Sequence, residues 1–281
     1  MTIALLSQIE EAVDSGLVDD MNEMTSTGGG GRGLLPAGEA FIRLSTYVEF
    51  GVQKLPAFQG QAKKPHMTFQ LGAHIVGGAG VNKDGADEDY ILEEGQFPYI
   101  RTFETPLYRN EKAKATKWFN AINTKGQFKS FGQALGGLYI VPITIEKSKK
   151  DATKHVNVIH WDKCRAAIDP MTRKPYNLPD LPVTAYKALI WNKPTKEQWE
   201  SIFQEGNWEA KDGKPAESKN KLQETCLKAQ DFAGSALEQL LIEMNGGEPL
   251  PDLVDNSAEA GVPDAPDDEP ETSAVPEAPE L

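Results

Sequence analysis

The sequence predicts a mainly β chain with added helices: a five-stranded Greek-key barrel, a C-terminal amphipathic helix packed on it, and a disordered acidic tail. Three observations predict this. Five stretches between residues 40 and 163 alternate in polarity or run nearly all apolar, as strands do. A stripe at helical spacing interrupts them after the third. From Gly246 to Leu281 the chain has eleven acidic residues, no Lys or Arg, many prolines and almost nothing to bury.

Residues 3 to 24 place Ile3, Leu6, Ile9, Val13 and Leu17 near helical spacing among acidic side chains, which reads as a short acidic amphipathic helix. Gly28 to Gly31 form a flexible linker. No Gly-Lys-Ser or Gly-Lys-Thr follows it, so a phosphate-binding loop is excluded. Residues 40 to 52 form the first strand, with Ile42, Leu44, Val48, Phe50 and Val52 on one face and Phe41, Arg43, Ser45, Tyr47 and Glu49 on the other. Residues 66 to 75 repeat the pattern, with Met67, Phe69, Leu71, Ala73 and Ile75 inward. Tyr99 to Leu107 is the third strand, carrying Tyr99, Arg101 and Phe103 on one side. Asn110 then reads as an N-cap for a helix whose stripe is Ala115, Trp118, Phe119 and Ile122. Leu138 to Ile145 and His155 to Lys163 are strands four and five. Tyr186 to Asn192 is a further short strand, and Thr195 caps a helix carrying Trp199, Ile202 and Phe203. Lys221 to Met244 reads as one amphipathic helix, stopped by Asn245-Gly246-Gly247.

The divisions that follow are an acidic segment with its linker (1–33), a β-rich domain (34–210), a C-terminal helix (211–245) and the tail (246–281). The formal charge of −13 hides an asymmetry: Gly28 to Lys221 holds 28 basic against 21 acidic residues. The field at a groove is set by such local charge, so a polyanionic partner is compatible with the acidic whole. Cys164 and Cys226 are too few and too far apart for a disulfide framework or a four-Cys zinc site, and a reducing, cytoplasmic setting is the expectation. No apolar run approaches a membrane span and no secretory signal opens the chain. The four histidines show no zinc-protease spacing. The acidic loop around Asp84 lacks the bidentate Glu of a calcium loop, and nothing resembles a nucleophile elbow. The expectation is a non-enzyme without metal or cofactor.

Three strands, a helix, then two strands is the element order of an oligonucleotide-binding barrel, in which the helix plugs one end. The chain resembles the single-stranded DNA-binding proteins of tailed bacteriophages. The resemblance rests on that order, the segments FIRLSTYVEFGV, KKPHMTFQLGAHI, NEKAKATKWFNAIN and YKALIWN, the late helix and the acidic end. It implies a barrel that coats single-stranded DNA during replication and recombination. It also implies a tail (Asp267, Asp268, Glu269, Glu271, Glu277, Glu280, Leu281) that recruits a phage polymerase, helicase or primase and restrains DNA binding. Many members end in an aromatic residue, whereas this chain ends Pro279-Glu280-Leu281.

Single-strand binding needs cations that track phosphates and aromatic faces on which bases stack. The alternation pattern offers Phe41, Arg43 and Tyr47 on strand one, Lys63 and Lys64 ahead of strand two, Arg101 and Phe103 on strand three, and Trp161, Lys163 and Arg165 at the end of strand five. Phe41, Tyr47 and Phe103 serve equally well as packing under the C-terminal helix, and Trp161 as core. Trp118 belongs to the core by its helical spacing. The alternative readings are a non-catalytic interaction scaffold and a strand-annealing protein that works as a ring or filament.

Overall fold

The computed structural model describes residues 33–57, 61–91, 95–148, 151, 153–209 and 215–248. The expected N-terminal helix, glycine linker and nearly all of the acidic tail lie outside them. Twelve strands follow in chain order: β1 (Ala37–Gln53), β2 (His66–Gly77), β3 (Ala79–Val81), β4 (Asp87–Asp89), β5 (Tyr99–Arg101), β6 (Thr105–Pro106), β7 (Leu138–Lys147), β8 (His155–Ile159), β9 (Arg165–Ala166), β10 (Lys187–Leu189), β11 (Asn207–Trp208) and β12 (Glu217–Ser218). The described helices are α1 (Lys114–Ile122), α2 (Lys196–Ser201), α3 (Lys221–Leu227) and α4 (Ala236–Met244), with three short 3₁₀ turns.

Ten of these strands form one large sheet built on β1. Along one edge β1 pairs with β2 and β3; along the other it pairs first with β7 and then, past Arg43, with β10. Every pairing is antiparallel except β1 with β10. The path β8-β7-β1-β2-β5 has two open sides: among the described strands none of β5 or β6 pairs with β8, so the sheet is not a closed barrel. The gap is filled by side chains instead. Helix α1 packs against β6, β9 and the 3₁₀ turn Trp161–Lys163. Its stripe behaves as the spacing predicts: Ala115 and Ile122 are buried and Trp118 and Phe119 pack on the same core.

A single residue decides the architecture of β1. The register steps from Leu44↔Ala73 to Thr46↔Gly72, leaving Ser45 as a bulge. An inserted residue reverses which side chains face which side. Before it, Ala40, Ile42 and Leu44 enter the first core with Phe69, Leu71, Ala73, Ile75 and Phe131. After it, Tyr47 enters that core, and Val48 and Phe50 point the other way into a second one with Leu189, Trp191, Trp199, Ile202, Cys226 and Leu237. The uninterrupted alternation expected for residues 40 to 52 therefore holds only as far as Leu44.

Three other expectations change. The third strand splits into β5 and β6 because Thr102 Oγ1 takes the Leu71 N–H (3.0 Å) that a ladder carbonyl would take, and Phe103 and Glu104 stand out of the pairing. Asn110 does not cap α1; its side chain accepts from the Lys112 N–H in a turn, and the helix begins at Lys114. The late helix is two helices. Between them Asp231 accepts from the Val52 N–H (2.7 Å) and the Trp191 indole (3.1 Å), and Gln230 N–H donates to the Val52 carbonyl. Gly234 then turns at φ 79° and Ser235 caps α4. Docking the chain on the end of β1 outweighs continuing the helix. Thr195 caps α2 as predicted, its side chain accepting from the Gln198 N–H.

Candidate nucleic-acid interface

The pleat of β2 and β5 sorts their side chains. Leu71, Ala73, Ile75 and Ile100 fill the first core, so Gly72, His74, Tyr99 and Arg101 stand on the opposite, outer face of the sheet. The bulge at Ser45 puts Thr46 on this same face, and the parallel register sets Lys187 beside it. Lys187, Thr46, Gly72 and Arg101 thus lie in one row across β10, β1, β2 and β5.

Gly72 is required in that row. A Cβ there would lie 2.1 Å from Tyr99 Oη, which crosses it to donate to Thr46 Oγ1 at 3.1 Å. The Tyr99 ring leans on His74 with centroids 5.0 Å apart, and His74 Nδ1 is bonded to Ser45 Oγ (2.9 Å). Burial pushes the Tyr99 hydroxyl above its ordinary value, so it remains a donor. Arg101 is exposed at the end of the row. Partial burial, and then the Arg101 charge, lower the Lys187 ammonium, placing two cations near each other in a half-covered site. With its amide turned so that both ends are satisfied, Gln204 accepts from Lys187 Nζ (3.0 Å) and donates to the Lys219 carbonyl.

The row is bounded on two sides. The second core and its helices cover the face beyond Val48. On the other side lies the segment from Tyr176 to Asp180, held by Arg43. That guanidinium donates to the carbonyls of Gly136 (3.0 Å), Leu178 (3.2 Å) and Pro179 (3.1 Å) and pairs with Asp180 at 2.9 Å.

Of the residues expected to bind a strand, Arg101 and Phe103 lie on or beside this face, and Phe103 is 58 % exposed. Lys63 and Lys64 are exposed ahead of β2, at the far end of the same strand, and Lys163 is exposed on its 3₁₀ turn. The others are placed differently. Tyr47 is 1 % exposed in the first core, donates to Glu49 (2.6 Å) and has its hydroxyl raised by burial, because the bulge turned it inward. Trp161 is 4 % exposed, since the chain leaves β8 at Ile159 and folds the indole under α1. Neither ring has a face open to a base. Phe41 is half-buried with its ring edge-on to Tyr176 at 4.8 Å. Arg43 is the brace just described, and Arg165 is held by both oxygens of Glu39 at 2.7 Å.

Tyr99, His74, Thr46 and Lys187 belong to the row and were not among the expected binders. Tyr99 was legible on the Arg101 face, whereas Lys187 required knowing that β10 pairs in parallel with β1. Among the described residues no three His, Cys, Asp or Glu side chains gather as metal ligands, and the acidic loop near Asp84 is organised by Asn82 Oδ1 accepting from the Asp84 and Ala86 amides. No helix among the described residues is long and apolar enough to cross a membrane. Comparison of the chain with protein-family models, curated proteins and solved structures returns no match.

Proposed function

We propose that this is a sequence-independent single-stranded DNA-binding protein, non-enzymatic, that coats and protects exposed strands during phage replication and recombination. The reading takes the fold as an oligonucleotide-binding barrel whose third and fifth strands are bridged by α1 rather than hydrogen-bonded. The observation that carries it is the outer-face row: two cations, Arg101 and Lys187, next to the Tyr99–His74 pair and the exposed Phe103. Phosphates need the first kind of group and bases the second. The part of this face clear of the second core is its end near His74, Tyr99 and Arg101, since Gln70 and Thr68 further along β2 are buried. The exposed Lys63 and Lys64 add cations ahead of β2.

The acidic tail competes with the strand for these cations and offers a docking segment to a polymerase, helicase or primase in the host cytoplasm. Its eleven carboxylates and lack of basic residues supply the charge complementarity.

Fluorescence anisotropy with labelled oligo-dT and with duplex tests the reading. Binding of the single strand only, weakened about tenfold by Phe103→Ala and again by Arg101→Ala, is the expected result. Equal affinity for duplex, or indifference to both substitutions, would remove it. Deleting residues 249–281 should tighten binding most at low salt; unchanged affinity across a salt series would retire the competition.

A scaffold reading has one observation in its favour. Trp208 is 61 % exposed, with Lys219 Nζ 5.1 Å from its ring, and Phe203 is exposed nearby in sequence. Aromatic anchors of this kind dominate protein interfaces.

A further inference from the structure

Where β2 begins, a cleft of about 420 Å³ opens against the end of β1. His66 and Tyr108 stand in its wall with their rings stacked, centroids 4.3 Å apart and planes 25° apart. The pair is fixed from behind: His66 Nε2 lies 3.4 Å from the Leu107 carbonyl, and Thr116 Oγ1 donates to the Tyr108 carbonyl at 3.2 Å. Tyr108 is nonetheless 37 % exposed. Beside this pair Arg109, Asn192 and Glu49 line the cleft.

Glu49 is not free to move. One oxygen accepts from Tyr47 Oη (2.6 Å) and the other from the Trp191 amide (2.8 Å). A carboxylate oxygen has two lone pairs, so each retains acceptor capacity while both are held in place. A fixed acceptor suits the amino group of a base and repels a carbonyl edge, as in the pairing of Glu with the N4 amino group of cytosine. The volume falls in the range of small-ligand sites, ~300–1,000 Å³.

We propose that this cleft holds a single nucleotide whose base stacks on Tyr108, whose amino edge meets Glu49 and whose phosphate meets Arg109. The proposal rests on the single-strand reading in that the nucleotide belongs to a bound strand, and it adds a preference for an amino-bearing base at one position of an otherwise sequence-tolerant track. It differs from the outer-face row, which offers no carboxylate to a base.

The test uses the full chain and two probes. In the first, deoxycytidylate and thymidylate are titrated separately while the His66 ring resonances are followed by NMR. Deoxycytidylate should shift them at concentrations where thymidylate does not. In the second, oligo-dC affinity is measured for the wild type, Tyr108→Ala and Arg109→Ala, with a roughly tenfold loss expected from removing the stacking ring. If oligo-dC binds, but neither substitution weakens it and deoxycytidylate leaves His66 unmoved, the cleft proposal is overturned and the single-strand reading stands. If deoxycytidylate shifts His66 while no oligonucleotide binds, the single-strand reading fails and the cleft survives as a mononucleotide site. Equal shifts with both nucleotides overturn the role given to Glu49. A thermal melt of each variant separates lost binding from lost folding.

Discussion

The two halves of β1 belong to different environments although they are one strand. Up to Leu44 it is an ordinary member of the sheet, flanked by β2 and β7, with its even-numbered residues in the first core. Past Ser45 its neighbour on one side becomes β10, Val48 and Phe50 build the second core, and Tyr47 takes over the first. One inserted serine therefore allows one strand to support two hydrophobic cores. The outer-face row lies at the junction beside the second core, with Arg101 exposed at its end and Thr46 and Gly72 buried under the Tyr99 ring. The bulge sets the boundary between the two supports.

The sharpest way to break this comparison is to delete Ser45. Every later residue of β1 would then reverse sides, driving Val48 and Phe50 toward the first core and Tyr47 toward the second. The expected result is loss of the cooperative urea transition and of the near-ultraviolet circular dichroism signal. A deletion variant with a native transition would show that the turn into β10, and not the bulge, sets the faces. Next in size is Trp191→Ala. The indole is buried in the second core and donates to Asp231, so the change should cost about 3–5 kcal/mol in urea titrations. A two-step transition in that variant would mean that the two cores unfold separately.

Gly72→Ala tests the junction itself. The new methyl would meet Tyr99 Oη, so the ring must swing aside and abandon Thr46. The expected cost is about 1–3 kcal/mol, with most of it recovered when Tyr99→Ala is combined with it. Full additivity of the two changes would contradict the close approach.

Much of this architecture is legible in the sequence. The inward set of β2 holds as far as Phe69, Leu71, Ala73 and Ile75 are concerned, as do the α1 stripe and the Thr195 cap. These depend on local periodicity or on a neighbour three residues away. What was illegible depends on distant partners. Nothing near Ser45 marks a bulge, because β-branched Thr46 and aromatic Tyr47 suit either register. The Lys221–Met244 stretch has helical spacing throughout, yet Asp231 is claimed by Val52 and Trp191, far away in the chain. The candidate site suffered in proportion: a ring assigned by parity (Tyr47) or by continuing a strand too far (Trp161) fell into the core. Arg43 and Arg165, offered by the alternation pattern as cations beside aromatic rings, carry partners that only the fold could supply.

A subtler probe is Glu104, an exposed residue beside β2. Its carboxyl accepts from Thr68 Oγ1 at 2.7 Å, and desolvation raises it above 4.5, its ordinary value, with the Thr68 bond opposing. The folded state then holds a proton that the unfolded chain has already released. Stability is therefore fully present below the ordinary value and falls as pH rises through the raised one. Glu104→Gln should flatten urea midpoints across that window; an unchanged slope would place the pH dependence elsewhere.

The smallest effect tests whether the row touches a bound strand. Lys187 sits where burial and Arg101 hold its ammonium below 10.5, its ordinary value. A phosphate arriving between the two cations would relieve the repulsion and draw a proton onto the lysine. Wild-type affinity for oligo-dT should thus decline as pH rises toward the ordinary lysine value, and Lys187→Met should lack that step. The same substitution should lower the salt dependence by about 0.7 in log–log slope, the share of one phosphate contact on a single strand. If the slope is unchanged while affinity falls, Lys187 supports the sheet through Gln204 and does not touch the strand, and the row shrinks to Arg101 and its aromatic neighbours.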